Sequence, residues 1–179
     1  MEFRGIDDWD DLFHECRESA YHMEIRDAYA VASESEPLRR FLAGEPPPAY
    51  DKSDWTGLIR EMTGRGVTVS RIRVVTVPHS DYQRWLLSVT GKNVDAGEDI
   101  RYLPRHLAEP ADLPTDDWWL FDGRRVAFNL VDRAGRPAGV AVTTDPKVAA
   151  YCRGVRERLW PSATPYREYI SGSAVTSGK

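Results

Sequence analysis

His79, Ser80, Asp81 and Arg84 stand together where a β-branched run, Val69 to Val77, meets Pro78 and an amphipathic stretch opening at Tyr82. An imidazole, a hydroxyl, a carboxylate and a guanidinium this close can do two kinds of chemistry. If the run is a parallel strand and the stretch a helix, the free amides of the helix N-terminus lie at the strand's carboxyl end, where open α/β sheets bind anions. Those backbone amides, His79 and Arg84 would then hold a phosphate or carboxylate, with Ser80 and Asp81 as adjoining ligand-binding candidates. Alternatively His79 acts as nucleophile or base, Asp81 orients it, and Arg84 or Arg101 neutralises the anion, which describes an enzyme acting on a phosphate ester or nucleotide. Structure alone accounts for part of the quartet. Ser80 followed by Gln83 has the spacing of a capping box, and Asp81 complements the dipole of the same helix. Only His79 is left without a structural task.

A second polar group, "KNVDAGEDIR", contributes Asn93, Asp99 and Arg101 as ligand-binding candidates, with Asp95 and Glu98 between them. Its carboxylates are hard oxygen donors, but the loop lacks the alternating ligand positions and terminal bidentate Glu of an EF-hand, so it reads as a solvated acidic turn. Arg101 is expected to pair with Asp99 along one strand face. Trp118 and Trp119 are adjacent, so on a strand they point to opposite faces. One of them is either an outward platform for a partner or, if both faces are covered, core. No G-x-S-x-G, Walker loop, G-x-G-x-x-G or H-E-x-x-H is present. No metal and no cofactor are expected.

The elements that must position these residues follow from periodicity. Residues 7 to 17 predict a helix with Asp7 and Asp8 in its first turn. In "AYHMEIRDAYAV", Tyr21, Met23 and Ile25 alternate with His22, Glu24 and Arg26, a strand whose polar side, with His22, is expected to be solvated. "SESEPLRRFLAGEPPP" predicts a short helix capped at Ser35, followed by a stiff connector at Pro46, Pro47 and Pro48. Trp55, Leu58, Ile59 and Met62 mark a helix feeding the strand Val67 to Val77; Tyr82, Trp85, Leu86 and Val89 mark another, and "GEDIRYLP" a strand. That strand, helix and strand form a parallel βαβ unit. Asp122-Gly123 and "DRAGRP" punctuate an antiparallel meander, and Asp145-Pro146 starts a last helix ending at Trp160-Pro161. The expected fold is α/β: a single domain over residues 1–170, a mixed sheet of about six strands with helices around it, and a flexible tail at 171–179.

Bulk properties narrow the partners. The chain has 179 residues, 24 basic against 28 acidic, and a net charge of −4. That balance gives no overall attraction to nucleic acid or to an anionic membrane, so neither is expected as a direct partner. No stretch has the length and apolarity of a membrane span. Cys16 and Cys152 have no motif spacing, which suits a reducing, cytoplasmic setting.

Taken in order, "SEPLRRFLAGEPPP", "RIRVVTVPHSDYQRW", "NVDAGEDIRYLPR", "WWLFD" and "ATPYREY" resemble an uncharacterised actinobacterial family, a domain of unknown function common in Streptomyces and its relatives. The resemblance spans about Phe13 to Tyr169 and implies a gene beside a helix-turn-helix regulator of the XRE type. The strand-turn-helix unit followed by "DDWWLFDGRRV" is similar to one half of a phospholipase D-like domain, whose catalysis needs a His-x-Lys pair. Here His14, His22, His79 and His106 all lack the lysine, which implies a non-catalytic relative. The expected function is a non-enzymatic regulatory or accessory protein that binds a helix-turn-helix regulator or a small anionic effector; the alternative is the His79 enzyme.

Overall fold

The computed structural model describes residues 1–6, 8–45 and 51–176, with 173–176 as backbone only. Asp7 and the Pro46 to Pro48 connector therefore lie outside the described residues. Eight strands form one sheet in the order β1-β7-β6-β5-β2-β3-β4-β8. They are β1 (Glu2–Arg4), β2 (Ser19–Glu24), β3 (Thr68–Val75), β4 (Asp99–Pro104), β5 (Trp118–Phe121), β6 (Arg125–Val131), β7 (Pro137–Thr143) and β8 (Thr164–Pro165). The helices are α1 (Asp11–Glu15), α2 (Ala32–Leu42), α3 (Ser53–Gly64), α4 (Asp81–Asp95), α5 (Pro146–Leu159) and α6 (Tyr166–Thr176). The two strands beyond the expected six, β1 and β8, are edge pieces too short to show a period.

β2, β3 and β4 run parallel, and every other pairing is antiparallel. The expected βαβ unit is β3-α4-β4. A second one, β2 to β3, encloses α2 and α3. Asp122 and Gly123 both have positive φ (50° and 66°), the two-residue hairpin turn read from their types. α1 is shorter than the predicted 7–17 helix for a local reason. The Asp122 carboxylate accepts hydrogen bonds from the amides of Arg17, Glu18 and Ser19 at 2.8–3.1 Å, drawing the chain out of helical geometry after Glu15. α2 starts at Ala32 rather than at a Ser35 cap and carries Pro37 inside it. α6 continues through Thr176, past the Ser171 at which composition ends the domain.

Helices cover both faces of the sheet. On one face Tyr21, Met23, Ile72, Val74, Trp118 and Leu120 pack under α5, with Cys152 in that core. On the other, Ala20, Val69, Trp119, Phe121 and Val142 pack under α1 and α3. A strand alternates its side chains between the faces, so the polar half of β2 is enclosed as fully as its apolar half. The solvated placement expected for His22 is corrected on this ground: it is 5% exposed, and Glu24 beside it 8%.

Candidate functional site

A cavity of about 530 Å³ opens over the α1–α3 face of the sheet. Its floor comes from three adjacent strands. His22 and Glu24 of β2 stand in register with Arg71 and Arg73 of β3, and Trp119 of β5 stands opposite His22. Its walls come from Tyr29 and Val31 in the loop after β2, Lys52, Trp55 of α3, Tyr82 and Leu86 of α4, and Asn93 at the end of α4.

Charge is built into this floor. Glu24 accepts a hydrogen bond from Arg71 Nη1 at 2.6 Å and another from Arg73 Nε. Arg71 Nε donates to Glu98 at 2.7 Å, and Arg73 Nη1 donates to the hydroxyls of Thr90 and Tyr102 at 2.8 and 3.0 Å. Glu98 also accepts from Trp55 Nε1 and Asn93 Nδ2. It reaches the interior because Gly97, at φ 112°, turns the chain sharply between α4 and β4. All four charged residues are less than 9% exposed. Charges so enclosed persist only when paired and hydrogen-bonded. Burial alone would raise the Glu24 carboxyl, but Arg71 and Arg73 override it and hold it well below the usual carboxylate range.

The guanidinium Nη2 atoms of Arg71 and Arg73 make no hydrogen bond among the described residues, and both side chains line the cavity. Lys52 joins them from the wall, donating to Asn93 Oδ1 at 3.0 Å. Burial and then the nearby Arg73 and Arg71 bring the Lys52 ammonium down to about 8. Two neutral groups complete the floor. Burial keeps His22 uncharged, against the pull of Glu24. Its Nδ1 lies 3.5 Å from Glu24 but makes no hydrogen bond among the described residues, and neither does Asn129 Oδ1. The loop carrying Tyr29 is tied down by Asp117, which accepts from the Ile25 amide at 2.7 Å and from the Tyr29 hydroxyl.

Asp117 gives a first prediction. Burial is the leading cause that raises its carboxyl, from 3.8 to about 6, so the folded state holds its proton more tightly than the unfolded chain. Its contribution is therefore largest below pH 4 and is lost as pH rises toward 6. Asp117→Asn, which still offers an acceptor to Ile25, is expected to remove that decline. Urea midpoints at pH 4 and pH 6.5, compared between the two proteins, check it.

The sequence-predicted residues divide. Asn93 lines the cavity, as does Trp119. His79, Ser80, Asp81 and Arg84 lie outside it, at the start of α4. Ser80 Oγ accepts from the Gln83 amide at 3.2 Å as the capping reading expects, while Gln83 Nε2 goes to the Asp27 carbonyl instead of returning to the cap. Asp81 and Arg84 pair with each other on the exposed first turn. His79 Nε2 meets the Tyr169 hydroxyl at 2.8 Å, and its Nδ1 faces the Thr76 carbonyl at 3.2 Å. Asp99 and Arg101 pair as expected, and the Arg101 guanidinium lies 4.1 Å from the Trp160 ring centroid, away from the cavity. The solvated acidic turn is corrected at Glu98, which is 1% exposed. The partner platform is corrected too: Trp118 and Trp119 are 0% and 2% exposed, one in each core.

Sequence reading missed Arg71, Arg73, Glu24 and His22. The signal was there. Two arginines at i and i+2 inside "VSRIRVV", a strand otherwise apolar enough to be buried, require partners, and "HME" in the neighbouring strand offers them at the same spacing.

A family model described as Domain of unknown function (DUF6879) matches residues 7–171. No curated protein matches the chain significantly. Among solved structures, TrmBL2, an archaeal chromatin protein described as showing a novel mode of DNA binding, aligns at 13% identity and a TM-score of 0.47 over 86% of this chain and 48% of its own. The chain thus spans about half the length of TrmBL2. NucT from Helicobacter pylori aligns at 10% identity and a TM-score of 0.48, over 87% of this chain and 89% of its own. With a DNA-binding chromatin protein among the neighbours, the expected exclusion of nucleic acid as a direct partner is withdrawn. Among the described residues no helix is long and apolar enough to cross a membrane.

Proposed function

The chain belongs to the DUF6879 family, a domain of unknown function, and from that premise we propose that it is a binding module for a small anionic ligand, held in the cavity over β2 and β3. One observation carries this reading: Arg71 and Arg73, buried side by side, keep guanidinium donors unpartnered among the described residues at the cavity floor, with Lys52 beside them. Guanidinium forks match carboxylate and phosphate oxygens and are strong where water is excluded. The cavity volume of about 530 Å³ lies within the range of roughly 300–1,000 Å³ usual for small-molecule sites.

Of the roles expected from sequence, the small anionic effector is the one this cavity supports; a helix-turn-helix regulator as partner rests on the resemblance alone. The His79 enzyme draws no support from a histidine placed outside the cavity against Tyr169. Within the cavity, Glu24 is committed to two arginines. That arrangement suits holding a ligand more than moving a proton.

Lys52 supplies the test. Anion binding favours its protonated form, so affinity for sulfate, which keeps its charge throughout, is expected to fall as pH rises through about 8. In Lys52→Met the pH profile should be flat and the affinity lower at every pH. Calorimetric titration from pH 6.5 to 9.5 measures both. Sulfate affinity unaffected by Lys52→Met would remove the proposal.

A further inference from the structure

Two polar atoms in the same cavity make no hydrogen bond among the described residues, and they adjoin the charged floor, with His22 Nδ1 3.5 Å from Glu24. Asn129 Nδ2 lies 3.4 Å from His22 Nε2. An amide nitrogen only donates, so Nε2 accepts, and the neutral imidazole carries its proton on Nδ1. The two side chains therefore present one donor, His22 Nδ1, with the Glu24 carboxylate 3.5 Å away, and one acceptor, Asn129 Oδ1, both buried and both without a hydrogen bond among the described residues. Buried polar groups are almost always satisfied, so a donor and an acceptor left over on two side chains in contact mark a place for a partner offering the opposite pair.

The walls nearby are flat and apolar. Trp9, Tyr29 and Trp55 come from three separate segments, each half-buried, with part of its surface open at the cavity. Half-open aromatic rings around one space are platforms for a planar ligand. His22 and Arg71 are register partners on neighbouring strands, so their backbones lie about 4.8 Å apart. The side chains are close as well: Glu24 Oε1 lies 3.5 Å from His22 Nδ1 and 2.6 Å from Arg71 Nη1, so a flat head read by His22 and Asn129 and an acidic group held by Arg71 and Arg73 fall within the length of one mononucleotide.

Resting on the anion-binding reading, we infer that the ligand is a nucleotide: its base stacks among the aromatic walls, its edge pairs a donor with Asn129 Oδ1 and an acceptor with His22 Nδ1, and its phosphate meets Arg71 and Arg73.

The test compares three probes by calorimetry: AMP, ribose 5-phosphate, which has the anion without the base, and adenosine, which has the base without the anion. AMP is expected to bind about tenfold more tightly than ribose 5-phosphate, the usual worth of one stacked base. Asn129→Leu, which removes the edge contact and keeps the stacking walls, should narrow that difference and leave ribose 5-phosphate binding unchanged, with unaltered near-ultraviolet circular dichroism confirming its fold. His22→Gln, which keeps a donor and an acceptor, serves as the second variant and should weaken AMP alone. If AMP and ribose 5-phosphate bind equally, or if both variants bind AMP as the parent does, the nucleotide inference is overturned while anion binding stands. If adenosine binds and neither phosphate ester does, both readings fall.

Discussion

Replacing Glu24 by leucine is expected to destabilise the fold by about 3–5 kcal/mol, the usual cost of leaving buried charge uncompensated. Glu24 is the carboxylate that Arg71 and Arg73 share, and Glu98 reaches only Arg71. Without Glu24, Arg73 keeps two neutral hydroxyls and no paired carboxylate among the described residues. The double variant Glu24→Leu/Arg73→Met should regain most of that loss. It leaves Arg71 and Glu98 as a one-to-one pair, and Thr90 and Tyr102, whose hydroxyls lie 3.2 Å apart, can bond each other. Chemical denaturation of the three proteins checks the order. The double variant should also lose the anion, separating stability from binding. Acid behaviour follows from the same pair. Glu24 is depressed in the folded state, so its stabilisation is full above its unfolded value near 4.5 and is lost as pH falls through the folded value. The acid limb of the parent's stability curve should be shallower in the double variant. Equal stability of the parent and Glu24→Leu would show that the network is solvated rather than buried.

Trp118→Ala should cost a similar amount, about 3–5 kcal/mol, because truncating a large core aromatic removes its buried area and leaves a cavity. Trp118 is 0% exposed and packs at 5.5 Å from Tyr21 in the core under α5. Its indole Nε1 has no hydrogen bond among the described residues, so Trp118→Phe loses area and no polar contact and should be far milder. A partner platform predicts otherwise: its alanine variant would keep its melting temperature and lose only an interaction. Thermal unfolding of the alanine and phenylalanine variants decides between the two.

Much of the fold was legible because it is written locally. The Asp122-Gly123 turn, the Ser80 and Asp145 caps, the apolar spacing of α4 and α5, and the β3-α4-β4 unit each depend on residues close in sequence. The candidate site was legible only in fragments. Asn93 was named as a ligand-binding candidate; His79, Ser80, Asp81 and Arg84 were named for the same reason and stand outside the cavity.

By itself the sequence determined a mixed α/β sheet with helices, the places of its turns and caps, and two tryptophans on opposite faces of one strand. Tertiary structure alone decided that both faces are covered, because that depends on where α1, α3 and α5 come to rest. The decision converts His22 and Glu24 from an apparently wet strand face into part of an enclosed charge network with Arg71 and Arg73. Alternation along a strand says which residues share a side; only long-range packing says whether that side meets water. Once it does not, unpaired charge is too costly to leave, and β2 and β3 must align their carboxylate and guanidinium groups over a common floor.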